Sequence, residues 1–562
     1  MEPSIQKLIR EVKHVLETES EIIARVFPHP EQVLGKFLQR VFQQSIQQRL
    51  EMILQTTVKL STLAYLRTLQ AARACIGQLV DELKAHGLTE RPSPLSSTTT
   101  VVIDQNLEEL FLPYLSGSLY IDREKVSLDQ LYAGVLLKFN LFHVCTSPTP
   151  TPSPPPPLSY LCKYCSYPLQ SRRKKLQNMT YFDRMKISAA KVSAEAREKA
   201  LEKTQSTESA GVGGGAWSRV LGVRRADTGG ISDDSAGVGG ADGSNKPGGL
   251  LSATEVDGQL NVDTAKRMLR WLAEAVGRSL ELSATADTPK DVLSLLTLLV
   301  DHMRKIYLDT ALDVALESAE SQGTKTEPDL SYFEEIEPAT TIMHLMFSFI
   351  NTALIPLAST SLTVRREMMI LTNASIAGLE SKINAVIQKT LDVVLAWVSN
   401  LLNKQKKQDY RPKDDDVSLT TLQTPTCLLI TQFLTRVHTT ATATLSGQNL
   451  TLFLAELGGA VLSLLLEHMK KFMINAAGGL MLTKDMAAYH SLVKAWGVKE
   501  LREGYEMLHE IANLFVVGPG ALRERLADKG GVMSRVKPAQ LKVWLCKRED
   551  YVGQGIDKVL SD

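Results

Sequence analysis

From Leu362 to about Leu402 apolar residues return at helical spacing through Met369, Ile376, Leu379, Ile383, Val386, Ile387, Val394, Leu395 and Val398. The run exceeds the average globular helix of about 11 to 12 residues several-fold. Such a helix needs long neighbours to cover its stripe, since each residue adds only ~1.5 Å of rise. Even if it breaks once, the architecture it demands is elongated.

The rest of the chain supplies such neighbours. Leu34, Phe37, Leu38, Val41, Phe42, Ile46, Leu50, Ile53 and Leu54 form one amphipathic stripe, entered at Pro28 and Pro30. A second helix follows through Leu63, Leu66, Leu69, Ile76, Leu79 and Leu83 towards a cap at Gly87. The short link predicts antiparallel packing. Pro and Ser residues make a loop over 91–100, and then Leu107, Leu110, Phe111 and Tyr114 run into Pro113 and Gly117 before the pattern resumes at Ile121 and Leu128. Two helices meet at this joint, and its Tyr114, Tyr120, Asp122, Arg123 and Glu124 suit packing and ion pairing rather than chemistry.

Further helices are predicted along Val262 to Leu280, from an N-cap at Thr288 with Pro289 in the first turn, and over Ile342 to Leu354 after a loop bracketed by Pro328 and Pro338. Beyond a charged loop at Lys404 to Asp416, helices are expected at about 419–445, 449–475, 484–496, 500–516, 519–527 and 538–549. Strand signals are nearly absent and no fixed repeat is visible. The fold class is all-α, an elongated rod of stacked antiparallel helical bundles. The domain reading is an N-terminal bundle segment at 1–143, a proline-rich insert at 144–170 and a charged helical segment at 171–203. A Gly/Ser-rich disordered linker at 204–255, a middle bundle at 256–410 and a C-terminal bundle at 411–562 complete it.

Charge excludes one broad class of partner. Lys and Arg (63) nearly cancel Asp and Glu (62) in 562 residues, so the whole field draws the chain neither to nucleic acid nor to membrane. Six scattered cysteines and a start without the apolar core of a signal peptide indicate a reducing, cytosolic setting. The most apolar window, 340–360, is interrupted by His344, Ser348, Asn351 and Pro356, which suits a buried helix better than a bilayer span.

No motif for chemistry is complete. Cys162 and Cys165, with His143 and Cys145, have thiolate and imidazole ligands for zinc but lie in or beside a proline tract. His509-Glu510 lacks the second histidine of a metalloprotease helix, because Asn513 stands there. The glycines of 211–215 follow no strand and lack a terminal Lys-Ser/Thr. No catalytic residue, cofactor or metal is therefore assigned. Two basic clusters, Arg172, Arg173, Lys174 and Lys175, and Lys404, Lys406, Lys407, Arg411 and Lys413, are either solvated charge or contacts for anionic lipid, worth about 1 kcal/mol per residue at a surface.

The joint 110–125, with Phe37-Leu-Gln-Arg-Val-Phe42 and Leu63-Ala-Tyr-Leu-Arg-Thr-Leu69 upstream, resembles the exocyst Sec-ten family and its relatives the recyclins. Met268-Leu-Arg-Trp-Leu272, Thr340 to Met346, Thr424-Pro-Thr-Cys427, Leu464 to Phe472 and Gly478 to Asp485 are similar to the same family's C-terminal bundles. The resemblance implies a non-catalytic scaffold that tethers secretory vesicles at the plasma membrane in exocytosis. The alternative is a recyclin-like adaptor in endosomal recycling. Implied partners are other exocyst subunits, small GTPases and anionic membrane lipid, without nucleic acid or small-molecule substrate. The implied location is cytoplasmic and peripheral at the plasma membrane or secretory-vesicle sites.

Two departures stand against the family pattern. The chain starts almost at the Phe37 motif, where members carry a coiled-coil helix or, in recyclins, an F-box, so a truncated reading of the gene is expected. Residues 144–170 read as a translated intron: Val144-Cys145 fits a GT start, and Ser166-Tyr-Pro-Leu-Gln170 fits a pyrimidine tract ending in CAG.

Overall fold

Helix α1, Glu2–Val26, opens the fold, and Leu16 at 0 % exposure marks the centre of its buried stripe. The computed structural model describes residues 2–86, 97–146, 258–412, 423–527, 536 and 538–559. Their contacts divide into two units. Of the described residues, the first holds 2–86, 97–124, 144–146 and 270–285, and the second 125–143, 258–269, 286–412, 423–527, 536 and 538–559.

In the first unit, the predicted stripe from Leu34 to Leu54 is a continuous helical rod made of α2, Pro30–Arg40, a π-helical segment, Val41–Ile46, and α3, Gln47–Val58. Pro30 occupies the first turn, where its missing N–H costs nothing. The π segment was invisible to periodicity because its side chains Val41, Phe42 and Ile46 stay buried across it. Helix α4, Thr62–His86, packs on α3 and α1, and α5, Ser97–Leu115, packs on α2 and α4. Leu34, Leu38, Phe42, Leu66, Leu69, Phe111, Tyr120 and Leu282 share one core.

The joint departs from expectation in one respect. Pro113 does not break the helix: α5 continues to Leu115, and the break falls at Ser116 and Gly117. A proline in the last turn forfeits one amide donor, whereas Gly117 at φ +63° reverses the chain in a region side chains avoid. Helix α6, Leu119–Val135, follows, and a kink at Leu136 separates it from α7, Leu137–Thr146. Helix α8, Val262–Leu282, carries the predicted stripe. The division between units falls inside α6 and inside α8 rather than in a loop. Of the sequence-derived segments, 171–203 lies wholly outside the described residues and 204–255 does too; 144–170 does so beyond Thr146.

In the second unit, α9, Thr288–Leu299, runs through a π segment, Val300–Leu308, into α10, Asp309–Ser321. Its N-cap is Asp287, one residue before the Thr288 expected. Pro338 lies in the first turn of α11, Ile336–Phe349, not at the end of a loop, and a 3-10 turn at Ser331–Glu335 precedes it. The long periodic run is one unbroken helix, α12, Leu362–Asn403, with Met368, Leu379, Val386, Val394 and Val398 among its buried residues. Helices α13, Pro425–Thr444, and α14, Gly447–Met469, pack on it, while α15, Ala476–Ala495, packs on α13 and on α16, Lys499–Asn513, which also packs on α14. Short helices α17, Pro519–Ala527, α18, Pro538–Leu545, and α19, Ile556–Val559, close the described chain.

Among the described residues there is no strand, only an isolated bridge between Ile474 and Arg548. The class is all-α helical bundle. By length and composition three helical stretches could cross a membrane, Ser331–Ala358, Leu362–Asn403 and Gly447–Met469, where sequence reading had weighed only the first. Each buries part of its apolar surface within the second unit, Phe349, Val394 and Leu457 among it.

Candidate functional site

Two buried polar centres stand out, one in each unit. In the first, Glu124 of α6 is fully enclosed and accepts from Tyr120 Oη at 2.6 Å and from Arg278 Nε and NH2, both at 2.9 Å. Bidentate geometry and a third donor satisfy a carboxylate that burial would otherwise penalise heavily. Arg278 lies 4 % exposed on α8. Beside it Arg123 lies 4.4 Å from the Tyr65 ring centroid, and Arg67 pairs with Glu274 at 3.1 Å. Tyr114 is half-buried, and burial, aided by Glu51, pushes its hydroxyl up to about 12. The expected packing and ion pairing at the joint is thus seen directly at Tyr120, Arg123 and Glu124.

Sequence reading missed Arg278. The available signal was its register: it stands three residues after Ala275 and four before Leu282, both buried, so it falls on the apolar face of α8. A charged residue on that face requires a buried partner.

In the second unit the centre is Tyr410, in the turn after α12. Its hydroxyl donates to Asp485 Oδ2 at 2.8 Å, and Asp485 also accepts from the Thr424 amide at 2.9 Å and the Thr424 hydroxyl at 2.6 Å. Thr424 is at once the N-cap of α13, its hydroxyl accepting from the Cys427 amide. Asn475 caps α15 by accepting from the Gly478 amide at 2.7 Å, while its own side chain donates to Pro412 O. Phe472 meets the Tyr410 ring edge-on at 5.3 Å between centroids. His468, on α14, hydrogen-bonds through Nε2 to Gln405 Oε1 at 2.6 Å.

Glycine is required here for a steric reason. A Cβ on Gly478 would stand 1.7 Å from the Tyr410 carbonyl oxygen, and one on Gly479 3.0 Å from Phe515 O. Three segments that carry the family resemblance, Thr424 to Cys427, Leu464 to Phe472 and Gly478 to Asp485, therefore meet around the Tyr410–Asp485 pair. Arg548 fastens the C-terminal segment nearby, donating to Leu514 O and Val517 O at 2.6 and 2.7 Å and to both Asp550 oxygens.

This centre fastens the turn after α12 and the start of α13 to α15. Asp485 and Thr424 are fully buried and Cys427 is 1 % exposed. Burial, then the neighbouring Asp485, pushes the Cys427 thiol far up and keeps it from the nucleophilic thiolate form. Burial raises the Asp485 carboxyl against the opposing hydrogen bonds from Thr424 and Tyr410.

The other sequence candidates separate. Arg172, Arg173, Lys174 and Lys175 lie outside the described residues, as do Cys162, Cys165, Lys413 and the glycines of 211–215. His143 hydrogen-bonds through Nε2 to Gly258 O at 2.9 Å and packs against Phe139. Lys404 sits 5.3 Å from the Trp397 ring centroid, and Arg411 pairs with Glu549. His509 stacks on His490 with centroids 6.0 Å apart, and its neighbour Glu510 pairs with Arg525. Among the described residues no group of three or more His, Cys, Asp and Glu is placed to hold a metal ion.

The described residues form an all-α bundle in which buried polar centres fasten helices together. The sequence model of the family described as "Exocyst complex component Sec10-like, alpha-helical bundle" matches residues 1–560, and the chain belongs to that family. It is similar to the exocyst complex component SEC10 of Saccharomyces cerevisiae, 27 % identical over 98 % of this chain and 62 % of the relative. It is also similar to exocyst complex component 5 of Homo sapiens, 26 % identical over 54 % of this chain and 42 % of the relative. The SEC10a component of Arabidopsis thaliana is 27 % identical over 60 % of this chain. The chain spans less than two thirds of the length of these relatives.

Proposed function

We propose that the chain is a non-catalytic scaffold subunit of the exocyst, acting in the tethering and docking of secretory vesicles at the plasma membrane. The observation that carries this reading is the family match across residues 1–560. Relatives from yeast, animals and plants are each named as exocyst components, which favours this reading over the recyclin-like adaptor. Physically, long helices such as α12 present extended lateral faces, the kind of surface on which neighbouring helical subunits pack.

The partners in this proposal are other exocyst subunits, with small GTPases and anionic lipid as further contacts, and the location is the cytoplasmic face of the plasma membrane or of secretory vesicles. Affinity purification of the tagged full-length product from its own cells tests it. Co-recovery of other exocyst subunits in fixed proportion is expected, and purification of the intact protein without them would sink the proposal.

A further inference from the structure

At the turn between α15 and α16 the second unit has a cavity of about 330 Å³. Lys494, Lys499 and Arg502 line it, with His490 and Glu506 beside them and Tyr505 at its floor. None of the three cations forms an ion pair among the described residues. Three cations face Glu506 alone, and the only acid in the first turn of α16 is Glu500, which does not line the cavity.

The backbone adds to this positive field. The N-cap of α16 is Val498, whose side chain has no oxygen, so no side chain caps the first-turn amides at the cavity wall. Gly497, at φ +73°, turns the chain so that Val498 and Lys499 reach the same wall as Lys494. Burial first, then His509, holds His490 below its usual range, against the opposing pull of Glu506.

The lining also narrows the ligand. The Tyr505 ring is buried and its hydroxyl donates to Gly458 O at 2.9 Å, so it gives no stacking face for a nucleobase. The volume is at the small end of ligand sites, roughly 300 to 1,000 Å³. We propose that this cavity binds a compact polyanion carrying two or more phosphate groups, of the phosphorylated cyclitol class, either free in solution or as the headgroup of a lipid. The site is independent of the exocyst reading, because its test needs only the purified chain.

Isothermal titration of the full chain with inositol trisphosphate tests the site. The comparison sets a K494Q/K499Q/R502Q variant against a K404Q/K406Q/K407Q variant that removes equal charge from the exposed loop after α12. All six positions are exposed, and unchanged circular dichroism and Tm establish that each variant folds. Binding by the wild type, weakened about tenfold or more in the cavity variant and retained in the loop variant, is expected. Added salt should weaken it further. No binding by the wild type, equal losses in both variants, or binding of a phosphoserine peptide in place of inositol trisphosphate would each overturn the proposal. Co-sedimentation with phosphatidylcholine vesicles, with and without phosphatidylinositol bisphosphate, then separates the sources. Capture lost in the cavity variant identifies a lipid headgroup, and binding of the soluble ligand alone identifies a free phosphate.

Discussion

Arg278 holds both carboxylate oxygens of Glu124 at 2.9 Å, across 154 residues of sequence and with neither side chain open to solvent. The Tyr120 hydroxyl completes the group. Such a pair contributes little net stability against an apolar substitute, because desolvation offsets most of the attraction, but it makes the unit intolerant of losing either half.

Removing one partner should therefore cost far more than removing both. Glu124→Ala or Arg278→Ala is expected to destabilise the first unit by about 3 to 5 kcal/mol, since each leaves a buried charge unpaired. The double variant Glu124→Leu/Arg278→Met should recover most of that loss. Urea denaturation followed by tryptophan-independent circular dichroism measures all of these. Single-variant losses below about 1 kcal/mol would show that the pair is solvated in solution.

The helices themselves were legible in the sequence because burial follows periodicity: α12 from Leu362 and α17 over Pro519–Ala527 lie where spacing put them. Boundaries were less legible where tertiary contacts decide them. Helix α15 begins at Ala476, eight residues before its predicted start, because Gly478 and Gly479 weaken the local signal while their lack of side chains lets the backbone lie on Tyr410 and Phe515. The Tyr410 centre could not be read at all. Its members, Tyr410, Thr424, His468 and Asp485, are separated by loops and helices, and only folding reveals that three resembling segments meet there.

Gly478 provides a sharp steric test. Gly478→Ala should destabilise the second unit by about 3 kcal/mol or more, because the obstructing atom is a backbone carbonyl that cannot rotate away. Gly479→Ala, with a 3.0 Å approach to Phe515 O, should cost less. Gly459→Ala meets nothing within 4 Å in the interior of α14 and should be neutral or gain up to about 1 kcal/mol of helix propensity. Thermal denaturation of the three variants checks the ranking, and equal effects at Gly478 and Gly459 would refute it.

For residues 144–170, the expected outcome is a spliced transcript that joins the codon of His143 to that of Ser171. Sequencing of messenger RNA decides it. Peptides from the proline tract in purified protein would show instead that the tract is translated.

His468 gives the second unit a defined acid response. Its Nε2 hydrogen-bonds to Gln405 Oε1, which a neutral imidazole does as donor, and Nδ1 has no hydrogen-bond partner among the described residues. Protonation would place an N–H and a positive charge in a buried position near Lys471, so burial first and then that lysine lower its pKa to about 4. The folded value lies below the ordinary unfolded value of about 6.5, so the unfolded chain binds the proton first. Stability from this group is fully present above pH ~6.5 and is lost as pH falls through the folded pKa, by about 3 kcal/mol in total. His468→Gln keeps a neutral amide beside Gln405 and should flatten the stability profile between pH 6.5 and 4, measured by urea denaturation at several pH values. Parallel profiles for wild type and variant would assign the acid sensitivity of the bundle to other groups, because a glutamine has no proton to gain in that window.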